Sequence, residues 1–297
     1  VALLQLSGVV PIHQGELRID GTPGNASFFA AYLLLSAGLA LFLSAGATAP
    51  RWRLAYGACA ALFLFLTIAS ATRSAFVALP AALLISSIAA LLLQKHSQFL
   101  RRFGLAALAL IVLFTGAFFA LRQIPSVIAH PLAGRLLSVS LSGRDAEARF
   151  LSWRIALTAA AERPVFGWGP EGFRAAFVAH YDPRLAGREQ WFDRAHNNYM
   201  DWLVQAGIVG LLAYLALWFG LAKIVWRNGR FNQWEKVALS GMFAGYAVFN
   251  LFSFDTITAS IIFFAFLAYV DRSEASSAET GKIPLRGILP YPLASLV

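Results

Sequence analysis

The chain has 297 residues, 59% of them hydrophobic and 13% charged, with a formal net charge of +9. A soluble domain carries about 25% charged residues, so this composition excludes an ordinary soluble enzyme and points into a bilayer. The basic balance is no nucleic-acid footprint, because Lys and Arg stand between apolar runs and do not cover one polar face. The single cysteine, Cys59, lies inside an apolar run and leaves no disulfide framework and no thiolate metal site.

Val1 to Val10 lacks an initiator Met and the basic flank of a signal peptide, and reads as the continuation of an earlier segment. A hydrocarbon core about 30 Å thick requires about 20 apolar residues in a helix. Seven runs come close: 28–48, 54–72, 74–94, 103–121, 201–222, 237–254 and the short 256–270. Sheets are excluded, since no short alternating segments appear and open edges go unsatisfied in lipid. The expected fold is therefore all-α, a polytopic transmembrane bundle of about seven spans.

Orientation follows from the connections. Arg51 and Arg53, then Lys95, Arg101 and Arg102, then Lys223, Arg227, Arg230 and Lys236, and finally Arg272 make every second connection basic. That places those connections and the C-terminus on the cytoplasmic side of the membrane. The stretch 122–200 falls outside; loops longer than about 60 residues escape the positive-inside rule. The chain thus divides into 1–121 (an outer segment and four spans), 122–200 (a large loop), 201–270 (three spans) and a linker-like tail, 271–297.

A loop of this length should hold structure of its own. Behind Ser142-Gly143 a helix is expected from Arg144 to Glu162, where Pro164 forbids continuation. Phe150, Trp153, Ile155 and Leu157 are expected to form an apolar face lying on the membrane surface. Pro164 to Gly172 is a glycine-rich turn, followed by a short helix from Phe173 to His180. A polar stretch leads to Ala195-His196-Asn197-Asn198-Tyr199, directly before the fifth span.

At that junction Asn197 or Asn198 can cap the incoming helix. His196 then sits at a positive helix end, with Arg194 close by, which disfavours imidazolium. A neutral imidazole there is either a general base or a histidine merely hydrogen-bonded at an interface. Arg73, flanked by apolar sequence, and Arg144 are candidates for gripping phosphate with a planar fork. Against that stand a snorkelling role for Arg73 and competition from Arg149, Arg154 and Arg174. Asn197, Asn198 and Tyr199 can orient the base or a sugar, though Tyr199 equally suits an interfacial anchor. Trp168 and Trp191 can stack on sugars or belong to the membrane interface. No Asp-x-Asp pair, His cluster or nucleotide-binding glycine pattern appears, so the expected site needs no metal and no cofactor.

Arg18 to Phe29, Thr72-Arg73-Ser74, Ser142-Gly143-Arg144 with Trp153, Pro164 to Phe173, and Ala195 to Tyr199 running into Gly207-Ile208-Val209-Gly210-Leu211 occur in this order. In this order they resemble the O-antigen ligase and polymerase superfamily, over roughly residues 16–225. The His-Asn-x-Tyr element before a Gly-x-x-Gly span is the most specific part. Family members often carry Ser-Arg-Gly where Thr72-Arg73-Ser74 stands here. The resemblance implies a GT-C-like helical fold of about a dozen spans, with this chain matching the C-terminal half. It implies transfer of a glycan from undecaprenyl pyrophosphate to an acceptor hydroxyl at the periplasmic face, with inversion. The acceptor is the lipid A core in ligases, another repeat unit in polymerases and a protein hydroxyl in relatives. Carried over, His196 becomes the base, and Arg73 and Arg144 the pyrophosphate ligands. A transporter of a related lipid is the reading from another class. Span centres nearly free of charge favour the enzyme.

Overall fold

Each of the seven apolar runs becomes a helix in the computed structural model. The structure describes residues 1–13, 18–138, 143–187, 190–227 and 229–278, without the side chains of His96, Arg144, Asp145 and 271–278. Ser142, the Arg144 side chain and the end of the tail therefore lie outside the described residues. In chain order the helices are α1 Ala2–Leu6, α2 Ala26–Gly46, α3 Pro50–Ala69, α4 Arg73–Leu92, α5 Gln98–Leu121, α6 Pro125–Ala129 and α7 Pro131–Leu137. They continue with α8 Arg144–Glu162, α9 Gly172–Ala179, α10 Asn198–Arg227, α11 Gln233–Phe249 and α12 Ile257–Ala278. No strand occurs among the described residues.

Among the described residues five helices, α2 to α5 and α10, are long and apolar enough to cross a membrane. The sixth run, α11, has 17 residues, and the apolar part of α12 is Ile257–Val270. Local signals start these helices. Asn25 caps α2 by accepting from the Ser27 and Phe28 amides at 2.8 and 3.3 Å, and Pro50 opens α3. Asn232 and Glu235 form a capping box on α11, satisfying donors that a helix start leaves without intrahelical partners.

The central layer is α2, α4 and α11. Its core joins Leu34, Leu35 and Phe42 with Ala75, Ala78, Met242, Phe243, Tyr246 and Phe249, and extends to Leu221 of α10 and Phe263 of α12. Lipid tails are as apolar as leucine, so helices associate through close packing at small residues. Gly245 accordingly faces Ala82 across the α4–α11 contact. Around this layer, α3 lies on α2, α5 on α4, and α12 on α2 and α10.

The loop forms a second, smaller core. Ala148, Leu151, Ile155 and Ala159 of α8 pack against Phe173, Ala176 and Phe177 of α9 and against Leu185, Phe192, Ala195 and Val204. Helix α8 runs over the expected residues, but its apolar face differs from the expectation. Ile155 is buried in the loop core, whereas Phe150 and Leu157 are exposed on the other side. The reason is helical period: Ala148, Leu151, Ile155 and Ala159 recur at i, i+3 and i+4 spacing, which puts them on one stripe. Trp153 lies at the edge of that stripe, half-buried, and faces the site.

Candidate active site

Helix α10 is broken at Gly207, whose backbone is non-helical (φ 64°, ψ −164°). A break inside an apolar helix strands carbonyls and amides that lipid cannot satisfy. The turn after α8 satisfies them. Trp168 and Gly169 amides donate to the Val204 and Gln205 carbonyls at 2.7 and 2.9 Å, and the Ile208 amide donates to Pro164 O at 2.8 Å. The approach leaves no room for side chains. A Cβ on Gly167 would meet the Val204 carbonyl, and one on Gly207 the Val165 carbonyl, and both residues have positive φ. Pro164 to Gly169 and the first turns of α10 are therefore one structural unit. Trp168 belongs to it: its indole N–H donates to Ala159 O at 2.8 Å, and the Arg163 guanidinium covers the ring 4.3 Å from its centroid.

His196 stands at the top of that unit in the left-handed region, φ 52°. A non-glycine residue there is uncommon and costs about 1–3 kcal/mol, sustained by surrounding contacts. Those contacts are visible. The Ala195 amide donates to Asp201 Oδ1 at 2.8 Å, and Trp153 Nε1 donates to Ala195 O at 3.0 Å. Asn197 Oδ1 caps α10, accepting from the Tyr199 and Met200 amides at 3.0 and 3.2 Å. The half-buried imidazole meets Phe192 and Phe254 edge to face, each at 5.3 Å and 89°. Its Nδ1 lies 3.3 Å from the Arg194 carbonyl. These contacts fix both the position and the plane of the ring.

The other expected residues take distinct places. Asn198 turns into the bundle, donating to Asp255 Oδ2 at 2.6 Å and to the Tyr214 hydroxyl at 2.9 Å. Tyr199 donates its hydroxyl to Ala247 O at 3.0 Å, so it anchors α10 on α11. The Arg194 guanidinium pairs with Glu171. Arg149 donates to Phe252 O at 3.1 Å, which docks α8 on the loop after α11.

Arg73 opens α4 at the same end of the bundle. Thr72 Oγ1, one residue before it, donates to Ala26 O at 3.1 Å in the first turn of α2. In that same turn Phe28 meets Phe254 at 5.7 Å, and Phe254 in turn meets His196. Arg73 also has two companions that sequence reasoning missed. It donates from Nη2 to Ser138 Oγ at 3.1 Å beside α7, and Arg135 of α7 donates to Ala71 O at 3.2 Å. Arg18, half-buried before α2, feels both: burial first, then repulsion from Arg135 and Arg73, pulls its guanidinium down to about 10. Its buried Nε–H meets no hydrogen-bond partner among the described residues. Arg18, Arg73 and Arg135, from three segments, thus lie near enough for Arg18 to feel the other two charges. Arg18 stood inside a motif already noted, so its position was legible and its partners were not.

Fold and site together define a polytopic helical membrane protein whose polar constellation is gathered at one end of the bundle. The O-antigen ligase family model matches residues 58–215. The chain belongs to that family, which is of the membrane glycosyltransferase type. No curated protein matches the chain.

Proposed function

We propose that this protein transfers a glycan from undecaprenyl pyrophosphate to an acceptor hydroxyl at the periplasmic membrane face, with the lipid A core as acceptor. The observation that carries this reading is a rigidly held histidine at the same bundle end as Arg18, Arg73 and Arg135, in a chain of the O-antigen ligase family.

Arg18 feels the charges of Arg135 and Arg73, and an anion of several charges would offset that repulsion. A diphosphate offers oxygens to more than one guanidinium fork at once. Neutralising the leaving pyrophosphate is the task a divalent metal otherwise performs, and preorganised cations meet it without reorganisation. Arg144, at the start of α8, retains its place as a further candidate for the same phosphates.

His196 acts as the general base. In the tautomer that donates Nδ1–H to the Arg194 carbonyl, Nε2 carries the lone pair. It takes the proton of the acceptor hydroxyl as that oxygen attacks the anomeric carbon. The bond from that carbon to the diphosphate oxygen breaks, pyrophosphate stays on the lipid, and the anomeric configuration inverts.

His196→Ala should abolish glycan attachment while the protein still accumulates in the membrane. Wild-type glycan banding from that variant would remove the base from the mechanism. Loss of the gene should leave free lipid-linked polymer; accumulation of single repeat units would mean a polymerase instead.

A further inference from the structure

Asp255 lies in the loop between α11 and α12, outside the stretch matched by the family model. Its carboxylate is the hub of a polar network at this end of the bundle. Oδ2 accepts from Asn198 Nδ2 at 2.6 Å, and Oδ1 accepts from the Tyr246 hydroxyl at 2.5 Å and from Asn250 Nδ2 at 3.1 Å. Asn198, Tyr246 and Asn250 are all buried. The Asn198 amide closes the ring by donating to Asn250 O at 2.8 Å. Hydrogen bonds that converge on one carboxyl group in a low-dielectric surround reinforce one another.

Both ends of this network reach His196. Asn198, the first residue of α10, is two positions beyond it. Phe254, the neighbour of Asp255, meets the imidazole edge to face. One carboxylate therefore governs the backbone on one side of the ring and an aromatic wall on the other.

We propose that Asp255 is a positioning residue for His196. It acts through Asn198 and through the loop that carries Phe254, and it touches no substrate. The proposal rests on the reading of His196 as acceptor base. An acid is required at position 255 because the three side-chain donors converge there. An amide of nearly the same volume turns N–H groups toward one of them and leaves donors facing each other, at the expense of buried polar satisfaction.

The test uses the whole protein in membranes or detergent, with a synthetic polyprenyl-diphosphate-linked glycan as donor. Asp255→Asn keeps the volume and changes the acceptor; Tyr246→Phe removes one hydroxyl donor. For Asp255→Asn, kcat should fall about 10- to 100-fold, the size of effect a misplacement near 1 Å produces, with donor KM changed less than about twofold. Tyr246→Phe should move kcat in the same direction by less. Labelling of His196 by diethyl pyrocarbonate, followed by mass spectrometry, needs no turnover and should speed up in both variants as the ring loosens.

Wild-type kcat with wild-type labelling would overturn the proposal, as would a raised donor KM at unchanged kcat. If Asp255→Asn fails to reach the membrane, Tyr246→Phe is held to the same criteria. An active His196→Ala would defeat the base reading alone, because labelling would still report whether Asp255 holds the ring.

Discussion

At the scale of single residues the site is defined by what restrains each side chain. His196 owes its orientation to Asp201, Trp153, Asn197 and two phenyl rings, none of which needs to touch substrate. The arginines divide differently. Arg194 is paired with Glu171 and Arg149 docks α8 on a backbone carbonyl, whereas half-buried Arg18 feels the charges of Arg135 and Arg73. Arg18→Ala and Arg135→Ala should each raise KM for a lipid-linked diphosphate donor about 10-fold or more, since a hydrogen bond to a charged group contributes about 1.5–3 kcal/mol. Steady-state kinetics with unchanged donor KM in both variants would separate this cluster from the phosphate. Arg144→Lys should also impair transfer, because a point charge cannot reproduce the fork; full activity would make Arg144 a surface charge.

At the scale of elements, the decisive feature is the break in α10 and the turn that fills it. Four backbone hydrogen bonds join the 164–169 segment to residues 204–209, so the turn after α8 is tied directly to the fifth span. Gly207→Ala places a Cβ against the Val165 carbonyl at a positive φ. That backbone region, which essentially only glycine adopts, costs an alanine about 1–3 kcal/mol, and the clash adds to it. The variant should therefore lower the apparent Tm of the purified protein and weaken glycan transfer. Thermal unfolding indistinguishable from wild type would mean that the turn does not depend on that close approach.

At the scale of the whole molecule, the alternation of basic and non-basic connections sets a testable topology. In a Cys59→Ser background, a cysteine at Gln123 should react with a membrane-impermeant maleimide added to intact spheroplasts. A cysteine at Arg230 should react only after permeabilisation. The reverse pattern would place the loop in the cytoplasm, where no periplasmic acceptor is available, and would end the proposed reaction.

What the sequence determined by itself is local. Apolar run length located seven helices, five of them long and apolar enough to cross a membrane, Pro164 ended α8 where it ends, and Asn197 could be read as a cap, because each depends on residues within a few turns of one another. The Ala195 to Tyr199 junction was legible for the same reason. The tertiary structure alone decided which arginines stand near one another, since Arg18, Arg73 and Arg135 belong to segments brought together by packing and long-range hydrogen bonds. It also decided which face of α8 is buried. It turned Gly207 from one glycine of a motif into the receptor of a distant turn. Asp255 had appeared only as the gap between two apolar runs, although an ionisable group at such a place is a functional candidate. Its role became visible once α10 and α11 brought Asn198, Tyr246 and Asn250 around it, because a hydrogen-bond network is a property of converging donors and no single segment supplies more than part of it.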